Sequence, residues 1–403
     1  MSTLGHMLRN ICVIRYPGCS IVLGIVLAGG LPKLLKLVLG DATSRSLLKF
    51  PGRSLLEMHI DATLRHFDGV FVVSDDPHVG NTCSHIPGCV FIEQRSPGIE
   101  GAICDGIASA GETGERLATI LYGDIYAPQS MIDSHMNSVA RYYEPVMTVT
   151  KPVMLRGTFL RVDVDPIDMS IKGIGSGQHV FAGLISIGID ELRRLLCQQG
   201  LSLHDALKHV ATSQHIHANM WLGEWVDLDT PWDYLLAVRL DMAHMKGVYI
   251  SEQATVKDTV IIEPPAFIDD GAFVDHYAVL KGPVYIGRGA RIGAHSFLRN
   301  TVAVYDNTVV GAYAEVKRSV LYDAARIGSY SYIADSLVGK KAQVAPYTVT
   351  ENIPYTGVAG EIIVTSTHPL EGLKVGAVIA AGSSTKPHSV LRPATIYSTS
   401  DNS

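Results

Sequence analysis

The stretch GPVYIGRGARIG (Gly282–Gly293) places aliphatic residues at Ile286 and Ile292, each followed by a glycine. Extending that step of six in both directions gives Ile250, Val256, Ile262, Ile268, Val274, Leu280, Ile286, Ile292, Leu298, Val304, Val310 and Val316. If about a third of positions were aliphatic, such a run would arise roughly once in half a million starting points. A period of six fits a triangular parallel β-solenoid, in which each short strand turns one aliphatic side chain toward the axis. The glycines after inward residues, Gly287, Gly293 and Gly311, suit corners with little room for a side chain. A β-sandwich predicts alternation with period two and irregular turns instead. The step slips after Val316, resumes at Leu321, Ile327 and Ile333, again at Val338 and Val344, and is expected to return at Val378 and Val390. The segment 352–374 reads as a loop leaving the coil. Coils of this kind commonly assemble through their faces, so a trimer or a multiple of one is expected.

Upstream of residue 240 the pattern differs. Apolar runs at Ile21–Ala28, Val70–Ser74, Cys89–Ile92, Leu117–Leu121 and Pro145–Val149 read as buried strands, and Leu55–His66 and Gly98–Ala110 read as helices. Strand–helix alternation predicts a layered α/β sheet with ligands held beyond the strand ends, on loops after Leu27, Val73, Ile92 and Tyr122. The domain reading is therefore an extension over 1–20, an α/β domain over 21–240, a linker over 241–248 and a coil over 249–399.

The chain has 403 residues, 47% apolar and 18% charged, with a formal net charge of −6. That composition suits a well-buried globular protein and gives no general attraction to nucleic acid or anionic lipid. The 6 cysteines, all in the first half, form no CxxC pair, which argues against a zinc site; a Cys83–Cys89 disulfide is compatible with the spacing and not fixed by it. No apolar run reaches membrane-spanning length, and residues 1–20 lack a signal-peptide pattern, so a cytoplasmic protein is expected.

Three stretches of the first half carry chemistry. Gly29-Gly30, after a strand, lets backbone N–H groups approach a phosphate or a purine edge. Asp124 follows the strand that ends in LYG (Leu121–Gly123), a placement suited to holding Mg²⁺ on a triphosphate, although a turn or cap aspartate reads the same way. In WVDLDTPWDYL (Trp225–Leu235), Asp227 and Asp229 share a face if extended, and Thr230 with Pro231 opens a helix.

Together these parts resemble the sugar-1-phosphate nucleotidyltransferases, specifically the archaeal two-domain members with a C-terminal left-handed β-helix, over nearly the whole chain from Ser20. LAGG (Leu27–Gly30), LLEMHI (Leu55–Ile60) after Pro51-Gly52-Arg53, LYGD (Leu121–Asp124), the Trp225–Leu235 stretch and the Gly282–Gly293 coil all match that pattern. The resemblance implies a Rossmann-like α/β domain with a mixed, mostly parallel sheet, followed by a left-handed parallel β-helix. It implies transfer of a nucleotidyl group from a nucleoside triphosphate to a sugar 1-phosphate, with Mg²⁺ held by Asp124 and Asp227. Leu27, Ala28, Gly29, Gly30, Gln94 and Gly98 would contact the nucleotide, and Gly123 and Lys172 the sugar.

The chain departs from the family at its phosphate loop. Where relatives read x-G-T-R-L, this chain has LPKLL (Leu31–Leu35), with Pro32 in the glycine's place and Leu34 in the arginine's. Proline removes an N–H donor, and lysine offers a point charge without arginine's fork. Lys33 and Lys36 are the nearby substitutes, and Ser44-Arg45, at the family's Pro-Lys, makes Arg45 a further cation. Two other readings therefore stand beside catalysis. One is a diverged regulatory or assembly subunit. The other is acetyl transfer from acetyl-CoA at a coil pocket with Tyr332 and Asn352, where Ser329 takes the place of the family's histidine base and Asp335 lies nearby. His276, His295 and His388 read as surface or corner residues.

Overall fold

The structure is a computed structural model, and it describes residues 22–30, 33–40, 44–110, 116–152, 159–353 and 374–399. Residues 1–20, among them Cys12 and Cys19, and residues 354–373 of the expected loop over 352–374 lie outside the described residues. The chain divides into two compact units. One holds residues 22–30, 44–48 and 54–227; the other holds 33–40, 49–53 and the described residues from 228 onward.

The first unit is built on a 9-stranded mixed sheet. Its central strand, Val22–Leu27, lies parallel to Leu117–Tyr122 on one side and Val70–Ser74 on the other, and Cys89–Glu93 continues the parallel run. The long strand His179–Gly188 joins antiparallel to Leu117–Tyr122 and to Val146–Thr150, which pairs in parallel with His217–Trp221. Leu23, Ile25, Val26, Val72, Val73 and Ala118 are almost wholly buried, as expected of strands covered on both faces. Because the four parallel strands run the same way, the turns after Leu27, Ser74, Glu93 and Tyr122 gather at one edge of the sheet. The helix Leu55–Leu64 starts at a capping box: Ser54 Oγ accepts from the Glu57 N–H, and Glu57 Oε2 accepts from the Ser54 N–H at 2.6 Å.

In the second unit three parallel sheets of 8, 6 and 7 strands form the coil. Ile250, Ile268, Ile286 and Val304 stand in register up one sheet, Val256 through Val310 up the next, and Ile262 through Val316 up the third. The six-residue step is thus one side of a triangle. Its corners explain the glycines: a Cβ on Gly293 would meet Ala312 N at 2.6 Å, and one on Gly311 would meet Ser329 N at 2.6 Å. The slips have a local cause too. The last full turn passes one corner through two left-handed residues, Asn300 and Thr301, where earlier turns have the cis bonds Pro264-Pro265 and Gly282-Pro283, whereas later turns pass it through Arg318 or Asp335 alone. One left-handed residue is lost, and the partners Val304–Leu321 and Leu321–Val338 step one residue short.

The late return differs from the expectation at Val378 and Val390. Val338 pairs with Ile379, and Thr350 pairs with Leu391, so the axial residues are Ile379 and Leu391, one position later. Val390 is 59% exposed. Thr350 itself occupies an aliphatic place and is tolerated there because its Oγ1 accepts from the Ala334 N–H at 2.8 Å. At one outer corner Tyr277, His295, Tyr313, Tyr330, Tyr347 and His388 stack face to face, 4.7 to 5.1 Å apart. His295 and His388 are therefore corner residues, as read.

The segment after the central strand of the first unit contributes to the second. Lys33–Leu39 is a helix whose Leu35, Val38 and Leu39 are buried. Its end is tied to the coil, because Lys340 N–H donates to Val38 O and Ala381 N–H to Leu37 O. Lys49 Nζ likewise reaches Asp306 at 3.0 Å and Asp323 at 2.8 Å, while the Tyr305 and Tyr234 hydroxyls donate to its carbonyl. Among the described residues no helix is long and apolar enough to cross a membrane. Disulfides join Cys83 to Cys89 and Cys104 to Cys197.

Two histidines are sealed inside the first unit. His135 Nδ1 meets Thr148 Oγ1 and its Nε2 meets Ser186 Oγ, each at 2.8 Å. Burial pushes its pKa down to about 3, and burial pushes that of His59 to about 4. Both stay neutral when folded, but the unfolded chain takes up protons below pH about 6.5. Stability is thus full above that pH and falls as pH drops toward the folded values, by about 2 kcal/mol per histidine at pH 5. Denaturant midpoints measured from pH 7.5 to 5 should fall accordingly, and His135→Gln should remove about half of that slope.

Candidate active site

The edge where the parallel strands end is fastened by backbone groups. Ala28 N–H donates to Val73 O at 2.8 Å, and Ala28 O accepts from Ser44 Oγ at 2.6 Å and Ser74 Oγ at 2.8 Å. Ala28 is thereby spent on structure, and the next two residues carry the open backbone. Gly30 has φ of +76°, and no atom lies within 4 Å of where its Cβ would be. A Cβ on Gly29 would stand 3.4 Å from Gln94 Oε1 and 4.0 Å from Asp75 Oδ1. Gln94 closes the neighbouring loop by donating from Nε2 to Ser96 O at 2.8 Å and Gly98 O at 2.9 Å. Gly29 thus faces the Gln94 side chain, which in turn holds the Ser96 and Gly98 carbonyls.

The carboxylates come from the next strand. Gly123 N–H donates to Leu27 O at 2.8 Å, and a Cβ on Gly123 would lie 2.5 Å from that oxygen. Only glycine allows this approach, which sets Asp124 beside the Leu27–Gly30 turn. The short strand Ile125–Tyr126 pairs antiparallel with Val226–Asp227, with Asp227 opposite Ile125. The strand ends at Asp227, so Asp229 does not extend it as expected, and Thr230 instead caps the helix Pro231–Ala243. Two aspartates distant in sequence are brought to adjoining positions.

Arg45 completes the group. It opens a short 3-10 turn capped by Ser44, its N–H donates to Gly30 O at 3.0 Å, and its Nη2 meets Asp124 Oδ2 at 2.5 Å. The side chains of this pair are only 15% and 22% exposed, so the contact is poorly screened and strong. Two carboxylates at adjoining positions, one already on a cation, fit a Mg²⁺ that takes one or two protein oxygens and completes its shell with phosphate and water. The Tyr122 phenol, buried and near Asp124 and Glu100, is held protonated.

The remaining candidates fall elsewhere. Lys33 opens the helix that belongs to the coil unit, and Lys36 is exposed on it. Lys172 lies on the outermost strand, Ile171–Ile174, paired with Asp168 at 3.4 Å and Asp165 at 3.5 Å. In the coil, Asn352 Nδ2 donates to Asp335 Oδ2 at 2.5 Å, and Arg318 grips the same carboxylate. Tyr332 lies on the strand face between Glu315 and Val349, its phenol pKa raised by burial and by Glu315. Sequence reading missed Ser44, Ser74 and Asp75; Ser44 alone left a signal, as a cap before a short turn.

Comparison with known proteins agrees with this architecture. The profile of the GMPPB C-terminal domain matches residues 280–399. A bifunctional protein GlmU from Methanococcus maripaludis is 32% identical over 189 residues, 44% of this chain and 45% of its own length. Another, from Methanocaldococcus jannaschii, is 31% identical over 153 residues, 38% of this chain and 37% of its own. The chain therefore spans less than half the length of these curated relatives. A solved UDP-glucose pyrophosphorylase from Acinetobacter baumanii superposes at a TM-score of 0.48 and 15% identity, over 56% of this chain and 95% of its own, too weak a likeness to carry weight.

Replacing Gly123 by alanine forces the Leu27 carbonyl and the following turn apart. Gly123→Ala should lower stability by about 1 to 3 kcal/mol and disturb the Arg45–Asp124 contact. Denaturant unfolding with a crystal structure of the variant checks both.

Proposed function

We propose, for a chain that belongs to the GlmU/GMPPB-like sugar nucleotidyltransferases with a C-terminal parallel β-helix, that it joins a nucleoside triphosphate to a sugar 1-phosphate and releases pyrophosphate. The observation that supports this reading is the register of Asp227 opposite Ile125, which puts the backbone of a second aspartate next along the pair from Asp124. Mg²⁺ bound there supplies charge neutralisation on the phosphate oxygens. The chain's own residues then have separable tasks. The N–H groups around Gly29 and Gly30 receive the nucleotide, Gln94 borders the base, and Gly98 keeps the loop open. Arg45 exchanges Asp124 for the developing charge on the pyrophosphate, a task for which its planar fork is suited. Lys33 and Lys172, expected at the leaving phosphates and the sugar phosphate, lie apart from this group and are given no task in it. The attack is in-line, and its rate comes from holding two anions in position.

One observation favours a second reading, a regulatory or assembly subunit. The segment that should wrap the phosphates is a helix bonded to the coil through Leu37 and Val38. That reading expects nucleotide binding without turnover. Acetyl transfer in the coil gains no comparable support, because Asn352 is already engaged by Asp335.

Pyrophosphate release, measured with each common triphosphate, Mg²⁺ and a panel of hexose 1-phosphates, decides between them. Turnover with at least one pair is expected, falling about 100-fold or more in Asp124→Asn and in Arg45→Ala. Nucleotide binding with no release from any pair would favour the regulatory reading.

A further inference from the structure

Away from the strand edge described above, Glu144, His215 and His217 converge. Their ligand atoms all lie within 4.8 Å of one another, and among the described residues no other group of three His, Cys, Asp or Glu side chains meets that condition. The arrangement is dictated by strand pairing. Val146–Thr150 and His217–Trp221 run parallel with His217 opposite Val146, so Glu144 and His215, two residues earlier on each segment, are neighbours at the start of the pair. His217 is fixed on both sides, because its N–H donates to Pro145 O at 2.9 Å and it bridges to Ser170.

The side chains are held as well. The His217 ring stacks on Tyr142 with centroids 3.7 Å apart and 10° between planes, which aims Nε2 at Glu144 Oε2, 2.9 Å away. The His215 ring meets that of His217 at 4.3 Å and 72°. A histidine–glutamate pair alone accounts for two of these residues. It gives no reason for a second imidazole on the same side, turned against the first.

We infer that Glu144, His215 and His217 form a binding site for a divalent transition-metal ion of the zinc class. Two imidazoles and one carboxylate are the donor set that suits such ions, whereas Mg²⁺ prefers oxygen alone. Bonds of about 2.0 to 2.2 Å at tetrahedral angles need donors roughly 3.3 Å apart. The His217–Glu144 contact has only to widen by a few tenths of an ångström, and His215 to close in by rotation of exposed side chains. Three protein donors leave one position for water or a further ligand. The ion would join the segment after the helix Gln129–Tyr142 to the outer strand His217–Trp221.

The expectation of no zinc site rested on cysteine spacing, and it does not bear on a site without cysteine. The test uses the full, tag-free chain, stripped with chelator and titrated with Zn²⁺, Co²⁺ and Mg²⁺ by calorimetry and visible absorption. One Zn²⁺ per chain in the micromolar range is expected, with Co²⁺ giving the visible bands of a low-coordinate site. His215→Ala and His217→Ala should each weaken Zn²⁺ at least about tenfold, while Asp124→Asn leaves it unchanged. His215 is exposed and His217 partly so, and the unfolding of both apo variants beside the apo parent checks that neither change disturbs the fold. Absence of micromolar Zn²⁺ binding overturns the assignment, as does equal binding by the double histidine variant. Loss of pyrophosphate release has no bearing on either outcome.

Discussion

The approach of Gly123 to the carbonyl of Leu27 governs the candidate site. A hydrogen bond of 2.8 Å between them leaves no space for a side chain, so the strand Leu117–Tyr122 must hand over to Asp124 hard against the end of Val22–Leu27. From that point the short strand Ile125–Tyr126 recruits Val226–Asp227, and the second aspartate arrives as a consequence. The hydroxyls of Ser44 and Ser74 on Ala28 O fasten the opposite side of the turn. Each of these contacts is a backbone requirement, met once and shared by several functional groups. Rigid support of this kind is what positioning catalysis demands of a scaffold.

The second unit obeys a different constraint, an axial core filled by one aliphatic residue per side. Its tolerance is revealing. Shortening a corner by one residue, at Arg318 and again at Asp335, keeps every inward position because the loss falls on a left-handed residue outside the strands. The two later corners then carry an arginine and an aspartate that bind each other, at 2.5 and 2.6 Å, with Asn352 added to the same carboxylate. A charged pair at a corner of the coil is satisfied locally, so it specifies the turn without burdening the apolar axis.

Much of this was legible in the residues, for a definable reason. Period-six aliphatics, strand runs and the Thr230–Pro231 helix start are local signals, and each was found where local rules put it. Errors arose where local rules were carried past the expected loop over 352–374: Ile379 and Leu391, not Val378 and Val390, pair with Val338 and Thr350, and no local signal fixes the register after so long an interruption of the period. What sequence could not supply was pairing at a distance. Arg45 and Asp124 are 79 residues apart, and His217 and Glu144 are 73 apart. Cys104 and Cys197 are separated by 93. Only the packing of strands, helices and turns in the folded unit brings such residues together, and nothing in the spacing encodes it. The helix Lys33–Leu39 was hidden for another reason: its one turn-and-a-half of apolar residues is too short to show a period, and Leu35, Val38 and Leu39 are recognisable as one buried face only once folded.

The Arg45–Asp124 contact ties these strands of argument to chemistry. A guanidinium and a carboxylate, both largely removed from water, compensate one another, and separating them loses that compensation unless other groups replace it. Separation is easiest when both gain new partners together. Under the proposed reaction, an incoming triphosphate with a divalent ion would offer that exchange, oxygen anions for the arginine and a cation for the aspartate. A bare nucleotide, or the ion alone, would offer half of it, so on that reading the salt bridge itself would favour the complete ligand set.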